Sequence, residues 1–246
     1  MTDASPKIAM VLAAGLGKRM RPITDTMPKP LVPIAGRTLL DRGLDSLEAA
    51  GVQTAVVNIH YLGGQIAHHL AGRPQPRIVI SDETEALLDS AGGIVKALPL
   101  LGTEPFFILN ADTFWVDAPD QADLDRLALA WDGDGMDILL MLAPLDQATG
   151  HSGGTDFLLD VDGRLHRAKG DPTGLIYAGA AILHPRIFAG AKPEPHSLNR
   201  YFDAAIAAGR LYGLPMRGHW ITVGTPDAIP DAEEAVRSAT AATQGA

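Results

Sequence analysis

The sequence predicts an α/β protein with a mostly parallel sheet covered by helices on both faces. Two observations carry that prediction. From residue 8 to residue 142, short runs of Val, Ile, Leu and Phe alternate with segments whose apolar residues recur at helical spacing. That order is what parallel strands and their crossover helices require. The first apolar run, Ile8 to Ala13, also stops abruptly at Ala14-Gly15-Leu16-Gly17. A glycine turn after a buried strand is where an open parallel sheet meets its ligand.

The totals agree with one globular domain spanning 1–246. Hydrophobic residues make up 46% and charged residues 20% of the 246, enough for a core and too few charges for disorder. No cysteine is present, which excludes a disulfide scaffold and thiolate metal sites and suits a cytoplasmic protein. The formal charge of -9 argues against nucleic-acid binding, which needs a basic face. No apolar stretch approaches the roughly 18 residues of a membrane span. The apolar run near the N-terminus lacks a basic flank and leads straight into the glycine turn, so it is expected to be a strand and not a leader.

Taken in order, residues 38–50 predict a helix, with Leu39, Leu40, Leu44 and Leu47 on one face and Gly51 at its end. Residues 54–59 predict a buried strand, 65–70 a short helix and 77–81 a strand. Residues 90–98 predict a helix with Ser90 as its cap. Residues 105–109 predict a strand leading to Asn110-Ala111-Asp112, followed by a helix over 120–131 and a strand over 137–142. The pattern then changes. Residues 143–174 predict an insertion beside the main sheet, with a hairpin turning at Val161-Asp162-Gly163. A strand over 175–183, interrupted by Gly179, precedes a helix over 198–208 and strands over 211–215 and 219–223. Thr225 and Pro226 predict the start of the last helix, capped by the threonine, running to about residue 239 before a polar tail that ends at 246.

The chemistry concentrates after the first strand. Lys18, Arg19, Arg21 and Lys29 face only Asp25 in an acidic protein. Glycines let backbone N–H groups approach an anion, and the bases that follow neutralise it, so a polyphosphate is the expected ligand. A dinucleotide fingerprint fits worse, because it needs Gly-x-Gly-x-x-Gly opening a helix. Here residue 20 is Met, and Pro22, Pro28, Pro30 and Pro33 forbid an early regular helix. Asp112 follows a strand directly and so stands where ligands bind in such sheets. The eight histidines show no metal-ligand spacing.

Ala13-Ala14-Gly15-x-Gly17-x-Arg19-Met20, followed by Pro28-Lys29-Pro30-Leu31-x-Pro33, resembles the signature of the sugar-1-phosphate nucleotidylyltransferases. The likeness runs in order from Ala9 to about Ala232. It implies a three-layer, Rossmann-like α/β/α nucleotide-binding sandwich and the conversion of an NTP and a sugar 1-phosphate into an NDP-sugar and pyrophosphate. Arg19, Lys29 and Asp112 would then be catalytic, with Mg²⁺ held by Asp112. Leu12, Ala13, Ala14, Gly15, Gly17 and Lys18 would bind the nucleotide with Arg19 and Lys29. Glu83, Ala91 and Gly92 would meet its base and ribose, and Asn110, Lys169, Tyr177 and Gly179 the sugar. At Gly179 a bulge is the competing expectation. Compact length, the AGGI segment before LPLLG, and YAGAAIL resemble most the branch of the family that serves cell-wall recycling, with UTP as the nucleotide and UDP-N-acetylmuramate as the product. A different sugar phosphate, phosphocholine, or a nucleotide-sugar-binding module that has lost catalysis are the alternatives.

One position departs from the family. Trp220-Ile221-Thr222-Val223-Gly224-Thr225-Pro226 resembles the family's Trp-x-Asp-x-Gly-Thr-Pro, whose aspartate is the second metal ligand. Thr222 stands in its place. Either Asp112 holds the metal with phosphates and waters alone, or Asp117 or Asp227 substitutes, or metal affinity is reduced.

Overall fold

The computed structural model describes residues 5–244. Its centre is a seven-stranded sheet. The strands are β1 (Ile8–Leu12), β2 (Thr54–Ile59), β3 (Arg77–Asp82), β4 (Phe106–Asn110), β5 (Ile138–Ala143), β6 (Ile176–Leu183) and β7 (Leu211–Pro215). Their spatial order is β7-β5-β6-β4-β1-β2-β3. Four neighbouring pairs are parallel; β6 alone runs against both of its neighbours. The sheet is thus mostly parallel, with one reversed strand near its middle.

Among the described residues there are six helices; α1 (Leu39–Ala49), α2 (Gly63–Leu70), α3 (Asp89–Leu101), α4 (Asp123–Ala130) and α5 (Asn199–Ala207) cover the sheet, and α6 (Ile229–Gln244) packs outside it. Alternate residues along each strand feed opposite faces, as the pleat dictates. Ala9 and Val11 of β1 join Leu44 and Leu47 of α1, Ile66 of α2 and Leu127 of α4 in one core layer. Met10 joins Ile94 and Ala97 of α3 and Phe202 of α5 in the other. Burying each such leucine or isoleucine contributes about 1.5–3 kcal/mol. α1 forms as expected: Thr38 caps it by accepting from the Asp41 backbone N–H at 3.0 Å.

A third, smaller core lies past the carboxyl ends of β1 and β4, where Met20, Ile34, Phe114, Ile221 and Ala232 meet. It contains a three-stranded sheet, of which the sequence predicts one strand. The last of the expected strands, His219–Thr222, pairs antiparallel with Thr113–Val116 and parallel with Ala148–Thr149. The latter two strands were not foreseen, because four and two residues are too short to show a period.

The predicted hairpin exists as Phe157–Leu159 against Leu165–Arg167. Phe157 and Leu165 are buried in the α3–α5 core layer, so the hairpin packs against the main body. The prolines of residues 22–33 do prevent a regular helix; three single 3₁₀ turns occupy Lys18–Met20, Ile23–Asp25 and Lys29–Leu31.

Two expected caps are corrected. Ser90 does not cap α3, which begins at Asp89. Its first N–H groups are served by Asp89 Oδ1 and by the His196 carbonyl, and Ser90 Oγ instead accepts from the Leu198 backbone N–H at 2.9 Å. Thr225 makes no side-chain cap; its carbonyl accepts from the Ala228 N–H at 3.1 Å in a 3₁₀ turn before α6. α6 runs to Gln244, beyond the expected end, and the last two residues of the polar tail lie outside the described residues. Among the described residues no helix is long and apolar enough to cross a membrane.

Candidate functional site

β1 and β4 are parallel neighbours, with Leu12 opposite Asn110. From β1 the chain goes one way to β2, and β4 lies on the other side. The carboxyl ends of these two strands therefore bound a switch point, the place where open α/β sheets hold ligands. A cleft of about 410 Å³ opens there.

The cleft floor is the glycine turn. The Ala13 N–H is tied to Asn58 Oδ1 at 2.7 Å. The N–H groups of Ala14, Gly15 and Gly17 donate to no group among the described residues, and all three residues line the cleft. Unpaired backbone donors around a turn make an anion cradle. The turn is held from behind. Gly17 has φ +58°, and a Cβ on it would lie 3.0 Å from Thr24 Cγ2 and 3.1 Å from Lys29 Cβ. The buried Thr24 donates through Oγ1 to the Gly17 carbonyl at 2.8 Å. Glycine is needed here for both its conformation and its size.

Lys29 and Asp112 meet on the cleft wall. Lys29 Nζ donates to Asp112 Oδ2 at 2.9 Å; the lysine side chain is 10% exposed and the aspartate's 42%. Lys18 and Arg19 are exposed at the rim. The Arg19 guanidinium faces Gly224, whose Cβ would stand 3.5 Å from Nη1. The N-terminal basic stretch, the end of β4 and the Gly224 turn, far apart in sequence, thus face one space.

Glu83, Ala91 and Gly92 are not among the residues lining the cleft. Glu83 is wholly buried, accepting from Asn58 Nδ2 at 2.7 Å and from the Leu88 N–H at 3.1 Å. It orients the asparagine that holds Ala13. Ala91 is fully buried, and a Cβ on Gly92 would fall 2.2 Å from the Glu194 carbonyl oxygen. The small residues there admit another stretch of this chain's own backbone. Leu87, Asp89 and Ser90 of the same segment do line the cleft. Asn58 was not singled out from the sequence, although a lone asparagine in the strand TAVVNI is a signal: a buried amide must be hydrogen-bonded.

A second cavity of about 250 Å³ adjoins the first, sharing Leu12, Ser90 and Asn110. Tyr177 lines it. The Tyr177 hydroxyl is buried and has no hydrogen-bond partner among the described residues. Burial pushes that phenol's pKa up, and the Asp112 carboxylate adds to the shift. Gly179 lies in a bulge, where β6 advances from Tyr177 to Ala181 while β5 moves only from Leu142 to Leu140. With φ +80°, a Cβ on Gly179 would be 2.5 Å from Thr113 Oγ1 and 3.2 Å from Asn110 Cβ. Glycine there makes room for protein atoms. Lys169 is exposed in a turn and is not among the residues that line either cavity.

Thr222 pairs with Thr113, the residue after Asp112. It stands beside the aspartate, and among the described residues no group of three or more His, Cys, Asp or Glu side chains gathers. Asp117 is occupied elsewhere, accepting from Trp115 Nε1 at 2.9 Å and from the Asp123 N–H at 2.8 Å. Asp227 is exposed on the turn before α6.

Comparison with known proteins adds the following. Residues 9–163 match the family model described as the MobA-like NTP transferase domain. The chain is 44% identical to an N-acetylmuramate alpha-1-phosphate uridylyltransferase of Caulobacter vibrioides, over 93% of this chain and 96% of that one. It is 33% identical to the protein of the same name from Neisseria meningitidis, over 92% and 96%. Among solved structures, the inositol-1-phosphate CTP transferase from T. maritima superposes with a TM-score of 0.74 at 19% identity, covering 96% of each chain.

Proposed function

We infer, from a chain that belongs to the family carrying the MobA-like NTP transferase domain and is a nucleotidyltransferase acting on a sugar 1-phosphate, that its substrates are UTP and N-acetylmuramate 1-phosphate. The products are UDP-N-acetylmuramate and pyrophosphate, made in the cytoplasm. The observation that carries this reading is the cleft at the ends of β1 and β4. It combines unpaired backbone N–H groups, the Lys29 ammonium and the Asp112 carboxylate within one space of nucleotide size.

In the proposed reaction a sugar-phosphate oxygen forms a bond to the α-phosphorus of UTP. The bond from that phosphorus to the bridging oxygen breaks, and pyrophosphate leaves with the electron pair. A phosphate monoester has a second pKa near about 6, so the nucleophile is already ionised and no general base is required. The obstacle is repulsion between anions. The N–H groups of Ala14, Gly15 and Gly17 would cradle the triphosphate, and Arg19 and Lys29 would neutralise charge that grows on the pyrophosphate. Asn110, at the end of β4, and the free Tyr177 hydroxyl would position the sugar phosphate.

Asp112 is the residue suited to a divalent cation. Its carboxylate is open to the cleft, with Oδ2 on Lys29 and no other partner among the described residues. Mg²⁺ accepts one protein carboxylate when waters and phosphates complete its shell, so the donor set fits, with Thr222 as at most a weak neighbour. The ion when bound supplies positive charge that offsets the repulsion between the two phosphates.

The test is pyrophosphate release, assayed in Mg²⁺ with each of the four NTPs against N-acetylmuramate, N-acetylglucosamine, glucose and mannose 1-phosphates and phosphocholine. UTP with the muramate ester is expected to give the highest kcat/KM. Binding of UTP with no release for any pairing would make the protein a binding module and refute the proposal.

A further inference from the structure

The second cavity carries a feature the nucleotide chemistry does not use. Among the residues that line it, Arg167 is the only cation. Its guanidinium lies over the Phe157 ring, 4.8 Å from the centroid, and 5.9 Å from that of Phe202. Nε donates to Asp203 Oδ1 at 2.8 Å and Nη2 to Asn199 Oδ1 at 2.9 Å. Nη1 has no hydrogen-bond partner among the described residues. The plane of the group is therefore fixed while one donor remains open, the arrangement in which arginine binds a carboxylate with least loss of side-chain freedom.

N-acetylmuramate is N-acetylglucosamine with a lactic-acid ether on O3, so it differs from the commoner sugar by one carboxylate. In a protein of formal charge -9, a sugar site that accepts an additional anion needs a cation placed for it. Asp156, the one carboxylate in the cavity lining, already accepts from the Tyr177 N–H through Oδ2 at 2.9 Å. The cavity opens onto the phosphate cleft beside Asn110, so a sugar whose phosphate lies near Asp112 can extend toward Arg167.

We propose that this second cavity receives the lactyl carboxylate and that Arg167 is the residue by which the enzyme distinguishes the muramate ester from N-acetylglucosamine 1-phosphate. The proposal rests on the substrate reading above. It makes Arg167 a specificity residue remote from the reacting phosphorus. Its loss lowers use of one sugar and leaves nucleotide binding alone.

The experiment measures pyrophosphate release with UTP and either sugar ester for the wild type, Arg167→Met and Arg167→Gln. Protection against thermal unfolding by UTP serves as the check on folding. A group that reads a substrate charge by hydrogen bonding discriminates strongly against the analogue lacking it, so Arg167→Met should lose about 10²-fold in kcat/KM for the muramate ester. Its KM for UTP and its rate on the glucosamine ester should stay at wild-type values. Equal loss on both sugars, or an unchanged preference, overturns the proposal. If Arg167→Met is not protected by UTP, Arg167→Gln, which keeps an amide over the phenyl rings, decides by the same criterion. A wild type that releases no pyrophosphate from the muramate ester refutes the substrate reading itself and this proposal with it, an outcome distinct from an active wild type with indifferent variants.

Discussion

The ion pair between Lys29 and Asp112 predicts an asymmetry between its two truncations. Lys29 is 10% exposed in its side chain and Asp112 is 42%. Asp112→Ala leaves an ammonium in a mostly dry position with no counter-charge, and an unsatisfied buried group costs about 1–3 kcal/mol. In a chain of this size each kcal/mol lowers the unfolding midpoint by about 2–4 °C, so a drop of roughly 2–12 °C is expected. Lys29→Met keeps the buried stem, and the half-open carboxylate rehydrates; the loss is that of a solvent-accessible pair, about 0–1 kcal/mol. The double variant removes both charges and should recover to within about 1 kcal/mol of the wild type, because replacing both partners by apolar groups is nearly neutral. Thermal and urea unfolding of the four proteins measure this directly. Equal destabilisation by the two single changes, or a double variant no better than Asp112→Ala, would refute the argument. Turnover should behave differently, falling by about 10²-fold or more in Asp112→Ala and showing no recovery in the double variant, since both charges act on the phosphates.

Two further outcomes are expected. Glu83→Gln sets an amide nitrogen against one of two donors, Asn58 Nδ2 or the Leu88 N–H, and should cost about 1–3 kcal/mol of stability with a raised KM for UTP; an unchanged melting midpoint would show that the buried carboxylate is dispensable. Burial raises the pKa of Asp117, with the neighbouring Asp123 charge adding to it. The folded state therefore holds this proton more tightly than the unfolded one, and the group's stabilising contribution is lost as pH rises through the carboxylate range. Asp117→Asn should gain stability over the wild type as pH goes from acid to neutral, because an amide oxygen can keep the bonds from Trp115 Nε1 and the Asp123 N–H; parallel pH profiles for the two proteins would contradict this.

The strands β1 and β2 and helix α1 were legible in the sequence because their signals are local: an apolar run, a helical stripe, a threonine cap. The cradle was legible for a different reason, since glycines and cations crowd into a short stretch whose chemistry has few uses. What could not be foreseen depends on partners distant in the chain. Asn58 serves Ala13 across 45 positions, and Glu83, expected near the base, is spent holding Asn58. Ser90 has the residue type of a cap, yet the His196 carbonyl and Asp89 serve the helix start and release it to bind Leu198. Gly179 offered two readings, and only the register of β6 against β5 shows which applies to the backbone. Arg167 sits in an unremarkable Leu-His-Arg strand; its neighbours Phe157, Asn199 and Phe202 come from other segments.

The reversed strand β6 has a consequence for how such a protein diversifies. Because β5 and β6 are antiparallel, Ala143 and Ile176 are partners at the same rim of the sheet as Leu12 and Asn110. The chain between them leaves and re-enters the scaffold on the substrate side. Its exposed turns can change in length while Ala148–Thr149 stays paired with His219–Thr222 and Phe157 and Leu165 stay buried against the main body. Arg167, the proposed reader of the sugar, lies in this excursion, whereas the glycine turn belongs to the frame that carries it.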